Sequence, residues 1–128
     1  MADWRPKHPS QHKEDKRTQS EMTLVLEKTP DILKELGVKL RSRRKRPLLV
    51  GFAAETRDLM KKARAKLAEK SLDLIVANDI SQDGIGPESD ANVITLVYRN
   101  GKSERLPKNS KSALAKEVWK RIHALKKR

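Results

Sequence analysis

Apolar and polar positions change rhythm several times along these 128 residues, and each change predicts an element. "MTLVLEK" (22–28) alternates with the two-residue period of a half-buried strand. In "TPDILKELG" Thr29 is placed to cap a helix, Pro30 to fill its first position and Gly37 to stop it after about two turns. "PLLVGFAAET" (47–56) carries no charge before Glu55 and reads as a buried strand over 48–53. From Thr56 to Lys70, Leu59, Met60, Ala63 and Leu67 share one helical face, with Lys62, Lys66 and Lys70 on a neighbouring stripe. "LDLIVAN" (72–78) is a second buried strand, and Asn100-Gly101 marks a hairpin within "NVITLVYRNGKSERLP". Leu114, Val118, Ile122 and Leu125 line one side of a closing helix that begins at Ser110. Strand, helix, strand, helix, strand predicts an α/β fold: a mainly parallel sheet covered by helices, ending in a C-terminal hairpin and helix.

That order directs attention to the carboxyl ends of the strands, where open α/β sheets take their ligands. At the end of "PLLVGFAAET", Gly51, Ala53 and Ala54 let a backbone or a flat ligand approach closely, and Phe52 offers a ring to a base or ribose. The same small residues also suit close helix packing, and pattern alone does not separate the two.

Composition narrows the setting. Hydrophobic residues make up 36% and charged residues 37%, which suits one small domain with a thin core. Without cysteine there is no disulfide or thiolate site, and His8, His12 and His123 lack ligand spacing, so a reducing cytoplasm and no protein-held metal are expected. No segment reaches the roughly 18 consecutive apolar residues of a membrane span. "MADWRPKHPSQHKEDKR" also lacks the apolar centre of a signal peptide. The formal net charge of +13 suits a nucleic acid or a site that handles polyphosphate. Trp4, Phe52, Tyr98 and Trp119 are scattered, which gives no stacking platform for successive bases. "KLRSRRKR" (39–46) as a bare motif is most often a solvated loop. "DISQDGIGPESD" (79–90) mimics the ligand spacing of a calcium loop, yet a strand precedes it and no helix flanks it, so calcium is not expected.

Five stretches carry a resemblance: "ADWRP" (2–6), "TPDIL" (29–33), "VGFAAET" (50–56), "KARAKLAEKSLDLIVAND" (62–79) and "SKSALAKEVWKRI" (110–122). In this order, over nearly the whole chain, they resemble the carboxy-terminal half of phosphopantothenate–cysteine ligase. The resemblance implies a Rossmann-like three-layer sandwich and a two-step ligation. CTP with Mg2+ activates 4'-phosphopantothenate as an acyl cytidylate, and L-cysteine then displaces CMP. It further implies that the chain is the nucleotide-binding part of a domain whose N-terminal half lies outside it. That half is an expected partner, and a second copy of the chain is a further candidate.

Residue by residue, the resemblance implies nucleotide contacts at Asp3, at Pro30, Asp31, Ile32 and Leu33, at Phe52, and at Lys66 and Lys70. Lys13, in "HKEDK", matches the first lysine of a mobile loop (7–20) that acts on the acyl cytidylate. Read without the resemblance, Asp3 is a turn aspartate, Thr29 to Asp31 are a helix cap, and Lys66 and Lys70 are exposed helical lysines. A reading of another class also stands: a non-catalytic basic module that binds RNA or a missing partner segment. Specific CTP binding favours the ligase; salt-sensitive binding of any polyanion favours the module.

Overall fold

The computed structural model describes residues 3–10, 12, 20–81 and 89–127. Its elements are β1 (Trp4–Pro6), β2 (Leu26–Lys28), α1 (Ile32–Leu40), β3 (Val50–Glu55), α2 (Leu59–Glu69), β4 (Leu74–Asp79), β5 (Ala91–Tyr98), β6 (Ser103–Ser110) and α3 (Lys111–Lys126). The chain divides into two compact units, Met1–Ile32 and Leu33–Arg128.

In the first unit β1 and β2 pair antiparallel, with Trp4 opposite Lys28 and Arg5 opposite Glu27. Lys28 Nζ lies 5.6 Å from the Trp4 ring, and Arg5 bonds Glu27 at 2.7 Å. The strand expected over 22–28 is therefore shorter and pairs with "WRP", outside the main sheet. Met22, Leu24 and Val25 are exposed, so their alternation has no covered face to hold it in strand geometry.

The second unit is a four-stranded sheet in the order β3-β4-β5-β6. β3 and β4 pair in parallel, in register from Val50–Leu74 to Glu55–Asp79. The parallel expectation holds for this pair; β4–β5 and β5–β6 are antiparallel. A parallel return after β4 needs a crossover of a dozen or more residues, usually helical, and residues 80–90 are too few and too rich in glycine and proline for one. The hairpin turns where Asn100-Gly101 predicts it, with Gly101 at φ +84°, a conformation that glycine adopts without strain.

Helices cover both faces, which makes the three layers. Leu67 and Ala63 of α2 and Leu33 and Leu40 of α1 pack with Ala53, Ile75 and Ala77 on one face. Leu114 and Val118 of α3 pack with Leu74, Val76, Ile94, Leu96 and Leu106 on the other, joined by the partly buried Ile122 and Leu125 of the expected stripe. Ser110 caps α3 by accepting from the Ala113 N–H at 3.2 Å. Arg121 ties α3 to β6 through Glu104 and to its own preceding turn through Glu117.

Two boundaries differ from expectation for a physical reason. α1 begins at Ile32, which leaves Thr29 and Pro30 outside it, and it continues through Gly37 to Leu40. Gly37 is a close-contact residue: a Cβ there would meet the Lys70 carbonyl oxygen at 1.9 Å. Gly37→Ala should therefore destabilise the chain by about 1–3 kcal/mol, measured by chemical denaturation. Helix propensity alone would give a gain of about 1 kcal/mol, so the sign decides between the two.

Candidate functional site

Residues alternate sides along a strand, so β3 divides its side chains between the two faces. Gly51 and Ala53 face α1 and α2 and are buried. Val50, Phe52 and Ala54 face the side of α3. α3 packs over β5 and β6; on this face Val50 at the start of β3 is partly buried against the same cluster, while Phe52 further along is 75% exposed. Between α3 and β3 lies a groove of about 1000 Å³, floored by Val50, Phe52, Val76 and Asn78 and walled by Val118, Trp119 and Ile122. Trp119 is 62% exposed and stacks obliquely on His123 at 6.2 Å. Arg46, Lys111 and Lys126 also line the groove, with Arg46 paired to Asp73. The Oδ1 atom of Asn78 is buried and has no hydrogen-bond partner among the described residues.

On the opposite face, Glu55 ends β3 and receives two lysines from α2. Its Oε2 bonds Lys62 Nζ at 2.8 Å and its Oε1 bonds Lys66 Nζ at 2.7 Å. The Lys62 bond, then that of Lys66, holds the Glu55 carboxyl below the usual carboxylate range. Asp79, opposite Glu55 in β4, accepts from the Ser81 N–H and hydroxyl, which lowers its pKa as well. Lys70 follows the last turn of α2, where Ser71 at φ +53° lets Leu72 N–H donate to Leu67 O at 3.0 Å. This terminal motif and the Gly37 contact fix the Lys70 backbone.

The expected site residues thus fall into separate groups. Thr29 N–H donates to the Asp3 carbonyl at 2.9 Å, which brings Asp3 beside the Pro30–Ile32 segment within the first unit. Leu33 turns into the core, with Cδ2 at 3.4 Å from where a Gly51 Cβ would lie. Phe52 lies on the α3 face, whereas Lys66 joins Glu55 on the α2 face. Lys13 lies outside the described residues, as do 82–88 of the rejected calcium loop. Sequence reasoning missed Glu55; its place as the first charge after an uncharged strand, ahead of a lysine stripe, is a signal that draws attention to it, while its pairing with those lysines comes from the packing. It also missed the groove, because Trp119 and Phe52 are 67 positions apart and only packing joins them.

Among the described residues, no helix is long and apolar enough to cross a membrane, and no group of three or more His, Cys, Asp or Glu could hold a metal ion.

Residues 1–125 match the family described as DNA/pantothenate metabolism flavoprotein C-terminal domain. The coenzyme A biosynthesis bifunctional protein CoaBC of Bacillus subtilis (strain 168) is 46% identical over 127 residues, which cover 99% of this chain and 30% of that protein. Its counterpart from Vibrio vulnificus (strain YJ016) is 44% identical over 126 residues, covering 98% and 30%. The chain thus spans under a third of the length of these curated relatives. A crystal structure of the C-terminal domain of a CoaBC protein superimposes with a TM-score of 0.71 at 33% identity, over 99% of this chain and 51% of that one.

The Glu55 bonds make a direct check. A depressed carboxyl contributes stability that is full at neutral pH and is lost as pH falls through its lowered midpoint. Carbon-detected NMR titration should place the Glu55 midpoint below that of an exposed glutamate, and Lys62→Gln should move it upward.

Proposed function

This chain belongs to the DNA/pantothenate metabolism flavoprotein C-terminal domain family, a family of coenzyme A biosynthesis, and on that premise we propose that it is the CTP-binding part of a phosphopantothenate–cysteine ligase. The observation that carries this reading is Phe52, a ring standing 75% exposed on the floor of an apolar groove at the parallel strand pair. A planar base gains from stacking on such a ring, and apolar walls with a few polar groups suit a small ligand.

In the proposed reaction an oxygen of the 4'-phosphopantothenate carboxylate attacks the α-phosphorus of CTP. Pyrophosphate leaves and an acyl cytidylate remains. The amine of L-cysteine then attacks the acyl carbon, CMP leaves, and the amine gives up its proton. Both substrates are anionic, so cations must offset their repulsion. By the resemblance, Asp3, Lys66 and Lys70 are assigned to contacts with the nucleotide, and Pro30, Asp31, Ile32 and Leu33 to a segment that approaches it with its backbone. Lys13 is assigned to the second step. Magnesium, when bound, would neutralise phosphate charge; Glu55 and Asp79, the carboxylates at the end of the parallel pair, are bonded by Lys62, Lys66 and Ser81 and would not by themselves make a protein cage for it. The rest of the ligase domain would have to supply the remaining substrate contacts, in the cytoplasm.

Calorimetric titration should show CTP with Mg2+ binding more tightly than ATP. Phe52→Ala should weaken CTP by about 5- to 150-fold, from lost stacking of about 1–3 kcal/mol, with little change in melting temperature because the ring is exposed. Equal, salt-sensitive binding of all triphosphates would favour the basic module instead. Lys66→Gln with Lys70→Gln should weaken CTP more than Lys108→Gln with Lys116→Gln, a pair that removes the same charge. With the remaining half of the ligase domain added, Lys13→Gln should release pyrophosphate on the first turnover yet form little phosphopantothenoylcysteine. Normal product formation would remove Lys13 from the second step.

A further inference from the structure

Glu55 has a geometry that a surface ion pair does not require. Its side chain is 11% exposed, whereas those of Lys62 and Lys66 are 46% and 40% exposed, so a sheltered acid holds two cations that face outward. Each carboxylate oxygen takes one ammonium group, at 2.8 and 2.7 Å. An ammonium has three N–H donors, so this leaves two on each lysine for another acceptor. Like charges four residues apart on a helix repel, and the carboxylate between them offsets that repulsion. Lysine side chains are rich in rotamers, and ordering them normally opposes binding; here that ordering is already done by the protein.

We propose that Glu55 is a positioning residue that joins Lys62 and Lys66 into one binding pair for the polyphosphate of the nucleotide. The proposal rests on the nucleotide reading above and adds two residues to it. Glu55 closes β3 opposite Asp79, at the carboxyl end of the parallel pair, where an α/β sheet presents its ligand groups. Glu55 does not touch the ligand; it fixes the direction of the two ammonium groups that do.

The test uses the sign of an effect. Glu55→Gln removes one negative charge from a chain of net charge +13, so diffuse attraction predicts tighter binding of any polyanion. Positioning predicts the reverse. This chain, its Glu55→Gln and Lys62→Gln variants and the double variant are titrated with CTP and with inorganic tripolyphosphate. Glu55→Gln should weaken both ligands by about 5- to 10-fold, Lys62→Gln by a similar factor, and the double variant by little more than either, because the groups act as a unit. Unchanged or tighter binding by a folded Glu55→Gln chain would overturn the proposal. If that variant unfolds, Lys62→Gln decides: a loss no larger than that of Lys108→Gln rejects the pair. CTP preferred over ATP with no dependence on Glu55 leaves the nucleotide reading standing and removes this one. Tripolyphosphate binding that depends on Glu55, without preference for CTP, removes the nucleotide reading and keeps the lysine pair. Failure of the wild-type chain to bind either ligand rejects both.

Discussion

Asp73 is the point through which the second unit is held in register. Its carboxylate accepts from the Leu49 N–H at 2.9 Å and from Arg46 at 2.5 Å, and its own N–H donates to the Leu49 carbonyl at 2.9 Å. Its carbonyl accepts from Arg99 N–H in the β5–β6 turn at 3.1 Å. One residue thus ties the entry of β3, the start of β4 and the far hairpin together. The register that begins there runs on to Glu55 opposite Asp79. A slip of one residue would send Phe52 into the α2 side and Glu55 into the groove, since side chains alternate along a strand.

The sheet therefore separates two kinds of chemistry that lie close together in sequence. Phe52 and Glu55 are three positions apart, so one meets apolar walls and the other meets lysines. The groove owes its opening to the placement of α3 over β5 and β6, which leaves Phe52 exposed on that face. The lysine side depends on α2 and on the close approach of α1, which Gly37 permits.

Much of this was legible along the chain. Buried strands, the amphipathic α2 and α3, the hairpin at Asn100-Gly101 and the Ser110 start of α3 all rest on local patterns of apolarity and turn chemistry, and the structure has them. What local pattern could not carry was pairing. The alternation in "MTLVLEK" is the same whether the strand joins a large sheet or a small one, and only the absence of a covering layer shortens it to Leu26–Lys28. Gly37 looks like a helix stop until the backbone facing it is known. For the site, Phe52 came from its place on the strand as well as from resemblance, Lys66 and Lys70 from resemblance, and the structure adds which face Phe52 and Lys66 lie on. The partnership of Glu55 with Lys62 and Lys66 joins a strand end to a helix face, at sequence separations that no periodicity singles out.

The bare flank of β3 has a consequence for handling the chain in solution. Among the described residues only β4 pairs with β3, so the outer row of N–H and C=O groups is open, beside an uncharged run from Pro47 to Ala54. Such an edge is a template on which further strands can stack. The charge of +13 keeps copies of the chain apart, and it acts over a distance that shrinks to about 8 Å at physiological ionic strength. Salt would thus loosen the grip on polyanions and at the same time remove the colloidal protection of that edge, so concentrated, salted solutions are where fibrous or amorphous association would begin.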